Sequence, residues 1–408
     1  MALLIFVLSY IFIAGFRLPG LKLGRAGGAF IGAGAMVVAG VIAPREVGQV
    51  VDVDTIVLLL GMMVIAAYMT QASLFRAAAW YTLRATKTPR ALLAALVFVA
   101  GGLSAFLVND TICLMLTPLV LALVESAELP PTPYLLGLAM ASNAGSVATF
   151  TGNPQNMLIG VSSGMQYRVY VAYMALPALA SLAVVVAVLL VMFRHQLPRR
   201  AIHVTGEAPR VDRALLTKCA LVGAGVVVAF FAGLSMAWSA FAGAAVLMVL
   251  ARRDPREALE EVDYVLLVFF ACLFVIVAGV HREGWAEHLR TAFAPLTTGS
   301  ALKESAGFAF LTTVGSNLFS NVPWVMLSRS WVPGMSDPTM GWQVLALAST
   351  LAGNLTLVGS VANLIVVESA RGKAHVGFWE YLKVGVPVTL LSLALGLGVL
   401  VLEHVLVP

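Results

Sequence analysis

Polar residues with chemical capacity fall at four places inside otherwise apolar stretches of this 408-residue chain. The first holds Asn109, Asp110 and Thr111, and the second Gly152, Asn153, Pro154 and Asn156. The third holds Ser320, Asn321 and Pro323, and the fourth Gly359, Ser360 and Asn363. Gly152 and Gly359 permit unusual backbone angles, and Pro154 and Pro323 remove a donor and stop a helix. The Asn amides offer donors and acceptors together, with the hydroxyls of Thr111, Ser320 and Ser360 beside them. Brought together, these groups form a cage of amides, hydroxyls and carbonyls with little fixed charge, suited to a small polar solute or an oxyanion. Asp110 is the one carboxylate at such a break. An ionised side chain in hydrocarbon is costly, so Asp110 is expected to carry a proton; capping the following helical arm is the structural alternative.

Other chemistries find no constellation. Cys113, Cys219 and Cys272 lie far apart in apolar segments, which predicts neither a disulfide framework nor a metal site. His281 and His288 flank a loop and His404 lies near the end of the sequence, so no catalytic grouping and no cofactor is expected. There is no G-x-x-x-x-G-K-[ST] motif and no polar segment long enough for an ATPase fold. Transport driven by an ion gradient, or by an ATPase partner chain, is the class that remains.

The elements that must position these residues follow from composition. With 60% hydrophobic and 11% charged residues, the chain reads as an all-α polytopic membrane protein. Apolar runs bounded by charge or by Pro and Gly predict ten transmembrane spans, at 2–16, 26–43, 55–75, 134–160, 169–193, 215–232, 236–251, 264–280, 344–367 and 381–402. The first run lacks a basic start and a small-residue cleavage pattern, so it reads as a span and not a signal peptide. Segments 91–124 and 301–331 are too long for one crossing and are interrupted by polar residues, which makes them re-entrant hairpins. The spans at 134–160 and 344–367 are expected to be broken helices.

The net charge of +5 raises the question of a nucleic-acid partner, but Lys and Arg are dispersed over short loops. Topology accounts for them better. The clusters are Arg17, Lys22 and Arg25; Arg76, Arg84, Lys87 and Arg90; Arg194, Arg199, Arg200, Arg210 and Arg213; Arg252, Arg253 and Arg256; and Arg371 and Lys373. With both termini outside a bacterial inner membrane, every cluster falls in the cytoplasm, provided that both hairpins return to the side they enter from.

The sequence also aligns with itself. ASNAGSVATFTGNPQN from Ala141 matches ASTLAGNLTLVGSVAN from Ala348, with identities at Ala141/Ala348, Ser142/Ser349, Thr149/Thr356, Gly152/Gly359 and Asn156/Asn363. Ser104 and Asn109 match Ser316 and Asn321 at a nearby offset. An N-terminal half, 1–193, and a C-terminal half, 214–408, each with five spans, a hairpin and a broken helix, would then be joined by the basic linker 194–213. Five crossings per half place the two in opposite orientation, the inverted-repeat plan of secondary transporters.

The stretches FLVNDTICLMLTPLVLAL, GSVATFTGNPQNMLIG, SNVPWVM and GNLTLVGSVANLIVVESA resemble the ion transporter superfamily, and within it the branch of ArsB arsenite/antimonite carriers and NhaD-type antiporters. The resemblance covers nearly the whole chain. The N-D pair followed by L-T-P, here Asn109, Asp110, Leu116, Thr117 and Pro118, is similar to ArsB carriers, whereas G-N-P-Q-N is shared with broadly named anion permeases. Divalent-anion symporters of the superfamily carry Ser-Asn-Thr in each hairpin tip. Here the tips read Val108, Asn109, Asp110 and Ser320, Asn321, Val322, which disfavours a sodium-coupled dicarboxylate carrier. The resemblance implies proton-coupled efflux of arsenite or antimonite across the inner membrane, with an anion permease or a Na+/H+ antiporter as alternatives.

Overall fold

Described in the computed structural model are residues 1–13, 23–198, 201–202 and 208–406. The end of the first predicted span and Arg17, Lys22, Arg199 and Arg200 lie outside them. The described residues form α-helices and short 3-10 turns and contain no strand. In order the α-helices are α1 (Ala2–Ile13), α2 (Arg25–Val38), α3 (Val47–Val50), α4 (Val53–Gln71), α5 (Leu74–Ala85), α6 (Pro89–Phe106), α7 (Asn109–Ser126), α8 (Pro131–Ser146), α9 (Pro154–Ser163) and α10 (Tyr167–Met192). They continue with α11 (Arg213–Phe231), α12 (Met236–Ala251), α13 (Pro255–Glu260), α14 (Tyr264–Arg282), α15 (Trp285–Phe293), α16 (Ala301–Phe319), α17 (Asn321–Ser328), α18 (Pro338–Ala352), α19 (Val361–Ser369) and α20 (Phe378–Leu406).

Seven of them, α4, α6, α7, α10, α11, α14 and α20, are long and apolar enough to cross a membrane, and α1, α2 and α12 are shorter apolar helices. The segment 91–124 is two helices, α6 and α7, meeting at Leu107 and Val108, and 301–331 divides into α16 and α17 at Ser320. The segments 134–160 and 344–367 divide into α8 with α9 and α18 with α19. Besides the short α3 and α13, two helices of nine residues or more were not expected. α5 and α15 have one apolar face and carry Arg76 and Arg84, and Glu287 and Arg290, so their charge density reads as loop in a hydropathy scan.

Helix starts are written in short-range chemistry. Asp52, Asp212, Asp263 and Asp337 each accept a hydrogen bond from the backbone N–H three residues on, satisfying one of the orphan donors at a helix N-terminus. Pro89 and Pro338 occupy the first turn, where a missing N–H costs nothing. Acidic residues at span ends are therefore largely caps.

Packing places the interrupted helices together. α6 lies on α8 and α16 on α18, α7 contacts α8 and α19, and α10 runs along α20. Outside this group, α2 packs on α1 and α14, and α12 packs on α11 and α4. Charged ends sort into two faces. One face joins Glu46 to Arg282 at 2.8 Å, the N-terminal ammonium to Glu283, Asp52 to Arg329 and Asp337 to His404. The other joins Asp212 to Arg253 at 2.7 Å and Glu125 to Lys373. Among the described residues no ion pair links the two sets. On the first face the Arg282 guanidinium, with the Ala43 N–H, holds the Glu46 carboxyl down to about 2. On the second, the Leu215 N–H and then Arg253 hold Asp212 below its ordinary value.

Candidate functional site

The four breaks lie slightly upstream of their expected places. Asn109, Asp110 and Thr111 occupy the first turn of α7, Pro154 to Asn156 the first turn of α9, Asn321 to Pro323 that of α17, and Val361 to Asn363 that of α19. The backbone departs from helix before them, at Leu107 and Val108, 147–153, Ser320 and 353–360. The physical reason is that Asn, Asp, Ser and Pro are residues of helix starts, not of the loop before them. Asn153 shows it directly: its Oδ1 accepts from the Asn156 N–H at 2.8 Å, with Pro154 next in line. The glycines also act differently from expectation. Neither Gly152 nor Gly359 has a positive φ. Gly152 is required by close approach, since a Cβ there would sit 2.4 Å from the Ser146 carbonyl oxygen. The unusual backbone belongs to Ser320, at φ 68° and ψ 157°, a region that normally admits only glycine.

All four half-helix starts line one small cavity of about 40 Å³. Asn109 and Asp110 reach it from α7, Pro154 and Gln155 from α9, Ser320 to Pro323 from the second hairpin, and Ser360 and Val361 from α19. Leu266, Phe269 and Phe270 of α14 form an apolar wall. Free backbone N–H groups and the positive ends of helix dipoles meet here, a setting that favours oxygen ligands. Asn109 is buried. Its Nδ2 donates to Asn143 Oδ1 at 3.0 Å, while its own Oδ1 has no partner among the described residues. An orphaned buried acceptor at a cavity wall calls for a donor from a ligand or water.

Arg25 also lines the cavity. Its place corrects the sequence reading, which counted it as a loop charge at the end of a span. The first residue of α2 is folded inward, with Nε donating to the Ile13 carbonyl at 3.0 Å, so Arg25 stands across the cavity from Asp110. They do not close to an ion pair.

The remaining predicted residues are not at the cavity. Thr111 does not line it, and Asn153, Asn156 and Asn363 are fully buried behind it, committed to the fold. Asn156 Nδ2 donates to the carbonyls of Ser146, at 2.9 Å, and Thr149. Asn363 Nδ2 donates to those of Gly353, at 2.7 Å, and Thr356. These are the same two bonds, ten and seven residues back in each case. Side-chain bonds between the two crossings repeat the pattern reciprocally. Asn143 donates to Asn363 Oδ1 at 3.2 Å, and Thr350 donates to Asn156 Oδ1 at 3.2 Å. Ser360 donates to Asn143 at 3.0 Å, and Asn153 donates to Thr350 at 3.1 Å. Asn143 and Thr350 are aligned partners in the self-match of the sequence, as are Asn153 and Ser360, and Asn156 and Asn363. Asn143, which also donates to Asn354 at 2.9 Å, was missed by sequence reasoning. Its signal was present in the run ASNAG, where an Asn stands within an apolar helix opposite a Thr of the matching run.

A family model described as CitMHS, citrate transporter, matches residues 10–352. A putative transporter arsB of Dictyostelium discoideum is 28% identical, over 98% of this chain and 92% of its own. The silicon efflux transporter LSI3 of Oryza sativa subsp. japonica is 30% identical, over 93% of each chain. Among solved structures, MtrF of Neisseria gonorrhoeae, described as one of a class of antimetabolite efflux pumps, superposes with a TM-score of 0.64 at 14% identity, over 98% of this chain and 93% of that one. The YdaH transporter of Alcanivorax borkumensis gives 0.60 at 15%, over 99% and 96%. These two share the fold.

Proposed function

The chain belongs to the CitMHS citrate-transporter family and is a multi-pass membrane transporter of the ArsB/CitMHS type, and from that premise we propose that it exports arsenite or antimonite in exchange for protons. The observation that carries the reading is the cavity at the four half-helix starts, with the orphaned acceptor of Asn109 beside a carboxylate and a guanidinium. Arsenite is a small neutral trihydroxide at neutral pH. Its O–H groups supply the donor that Asn109 Oδ1 lacks, and its oxygens suit the N–H groups of helix starts. Asn109, Ser320, Asn321 and Ser360 contact the solute, Asp110 carries the proton, and Asn153, Asn156 and Asn363 hold the broken helices in shape from behind. A second reading comes from the silicon-efflux relative: silicon in neutral water is a tetrahydroxide that the same groups would accept. A multiply charged anion such as citrate is less well matched, because among the described residues the one cationic side chain at the cavity, Arg25, faces a carboxylate.

The architecture proposed is two inverted halves, 1–193 and 214–408, joined by 194–213, with ten crossings and two re-entrant hairpins. Supporting it, α2 on α14 in one direction is answered by α12 on α4 in the other, and the crossing helices exchange equivalent hydrogen bonds. The face carrying Lys373 and Arg253 is cytoplasmic by its excess of basic residues, in a bacterial inner membrane with both termini outside. Single cysteines at Glu46 and Asp337 then react with an impermeant thiol reagent from outside the cell, and one at Arg256 only after the cytoplasmic side is opened. Reaction of the Arg256 position in intact cells overturns the orientation.

The functional test is uptake into inverted membrane vesicles with an acidic lumen. Arsenite accumulates and collapsing the pH gradient stops it. Uptake indifferent to the gradient removes proton coupling, and preferential movement of silicic acid or citrate reassigns the substrate.

A further inference from the structure

We propose that Arg25 is the group that discharges the proton from Asp110, and so fixes the face of the membrane on which the proton leaves. The inference rests on the reading of Asp110 as proton carrier. Asp110 sits at a hairpin tip, on α7, whereas Arg25 belongs to α2, which packs outside the group of interrupted helices. The two residues therefore face one cavity from separate parts of the molecule, in the arrangement seen here. α2 and α14 both end near the face with Glu46 and Arg282, which puts Arg25 and the apolar wall of Leu266, Phe269 and Phe270 toward the opposite, basic face. When the tip stands beside Arg25, the guanidinium favours the carboxylate over the acid by Coulomb attraction. The O–H bond of the acid breaks, the proton passes to water on the basic side, and the carboxylate stays behind, balanced by Arg25.

Few other groups compete for this role. The charged groups that act on Asp110 among the described residues are Arg25 and Asp263, the latter at the start of α14. Tyr10 of α1 lies beyond Arg25, its buried hydroxyl unpartnered, and Cys113 lies one turn along α7. α5, α6, α8 and α19, which also pack on α7, set no charge against the carboxyl. Among the described residues Arg25 is thus the single cation facing it. Its Nε is bound to the Ile13 carbonyl, which holds the head of the side chain in place without spending the charge.

The test compares Arg25→Gln, Arg25→Lys and Asp110→Asn in the full-length protein. A hydrophobic carbodiimide reacts with a carboxylic acid and not with a carboxylate, so it reports the protonation of Asp110 without any substrate. At neutral pH, Arg25→Gln is expected to label at Asp110 on the order of tenfold faster than the natural protein. Arg25→Lys should label close to the natural rate, and Asp110→Asn only at background. In inverted vesicles Arg25→Gln loses proton-driven arsenite uptake by a similar factor, and Arg25→Lys, which keeps the cation, retains it. Equal labelling of the Gln variant and the natural protein, or of the Gln and Lys variants, overturns the proposal. Should Arg25→Gln fail to fold, Arg25→Met keeps the test: it also removes the cation and must label at Asp110 faster than the natural protein, and a natural labelling rate overturns the proposal. Labelling as expected with no arsenite movement by any form leaves the pair in place and removes the substrate reading.

Discussion

The two crossing helix pairs and the two hairpin tips are built on opposite logics. At the crossings, α8–α9 and α18–α19 use matching residues for matching bonds: Asn156 and Asn363 staple carbonyls ten and seven residues back, and Asn143 and Thr350 reach across to the partner's Asn. The two tips differ. The first presents Asn109 and Asp110 with Arg25 opposite; the second presents Ser320, Asn321 and Val322, with no charge but with strained backbone at Ser320. Matched bonds at the crossings and unlike tips separate, on the function proposed above, the part of the molecule that keeps its shape from the part that does chemistry.

The sharpest way to break this division is at the frame. Asn143 makes four side-chain bonds, to Asn109, Asn354, Asn363 and Ser360. Asn143→Leu strands buried polar groups on α7, on α19 and in the break before α19, and unfolding in mild detergent should show a loss of about 3 kcal/mol. Thr350→Val, at the aligned position, keeps the side-chain shape and should lose about 1–2 kcal/mol. Equal losses would mean that the two hubs are interchangeable, and no loss in either would mean that the exchange does not hold the crossings together. The smallest effect is expected at the neutral tip. Ser320→Gly relieves a backbone conformation that costs on the order of 1 kcal/mol in a non-glycine residue, so stability should rise slightly while transport falls as the tip loosens. A stable Ser320→Gly carrier with unchanged flux would deny the strain a role.

Much of this plan was legible in the sequence because it depends on local signals. Apolar runs bounded by charge locate the helices, and Pro154, Pro323 and the Asn-rich motifs locate the breaks to within a few residues. The purpose of an amide was not legible. Asn109 and Asn156 look alike in sequence, yet one ends in an open acceptor at the cavity and the other is spent on the carbonyls of Ser146 and Thr149. Which fate applies depends on what packs behind the residue. Arg25 shows the same limit: a basic residue at the edge of an apolar run carries a topology signal whether it faces water or folds inward, and only the bond to Ile13 and the shared cavity tell them apart. α5 and α15 escaped because apolar residues on one helical face raise the average hydropathy too little to mark a span.

The central claim is that the charged tip, and Asp110 in particular, couples transport to protons. Asp110→Asn keeps the size and much of the hydrogen bonding of the side chain while removing its titration. Uptake of arsenite into inverted vesicles should then fall by about a hundredfold under an imposed pH gradient, with arsenite binding to the purified protein largely retained. Normal gradient-driven uptake by Asp110→Asn would contradict the account, leaving Asp110 as part of a helix start and placing the proton route elsewhere.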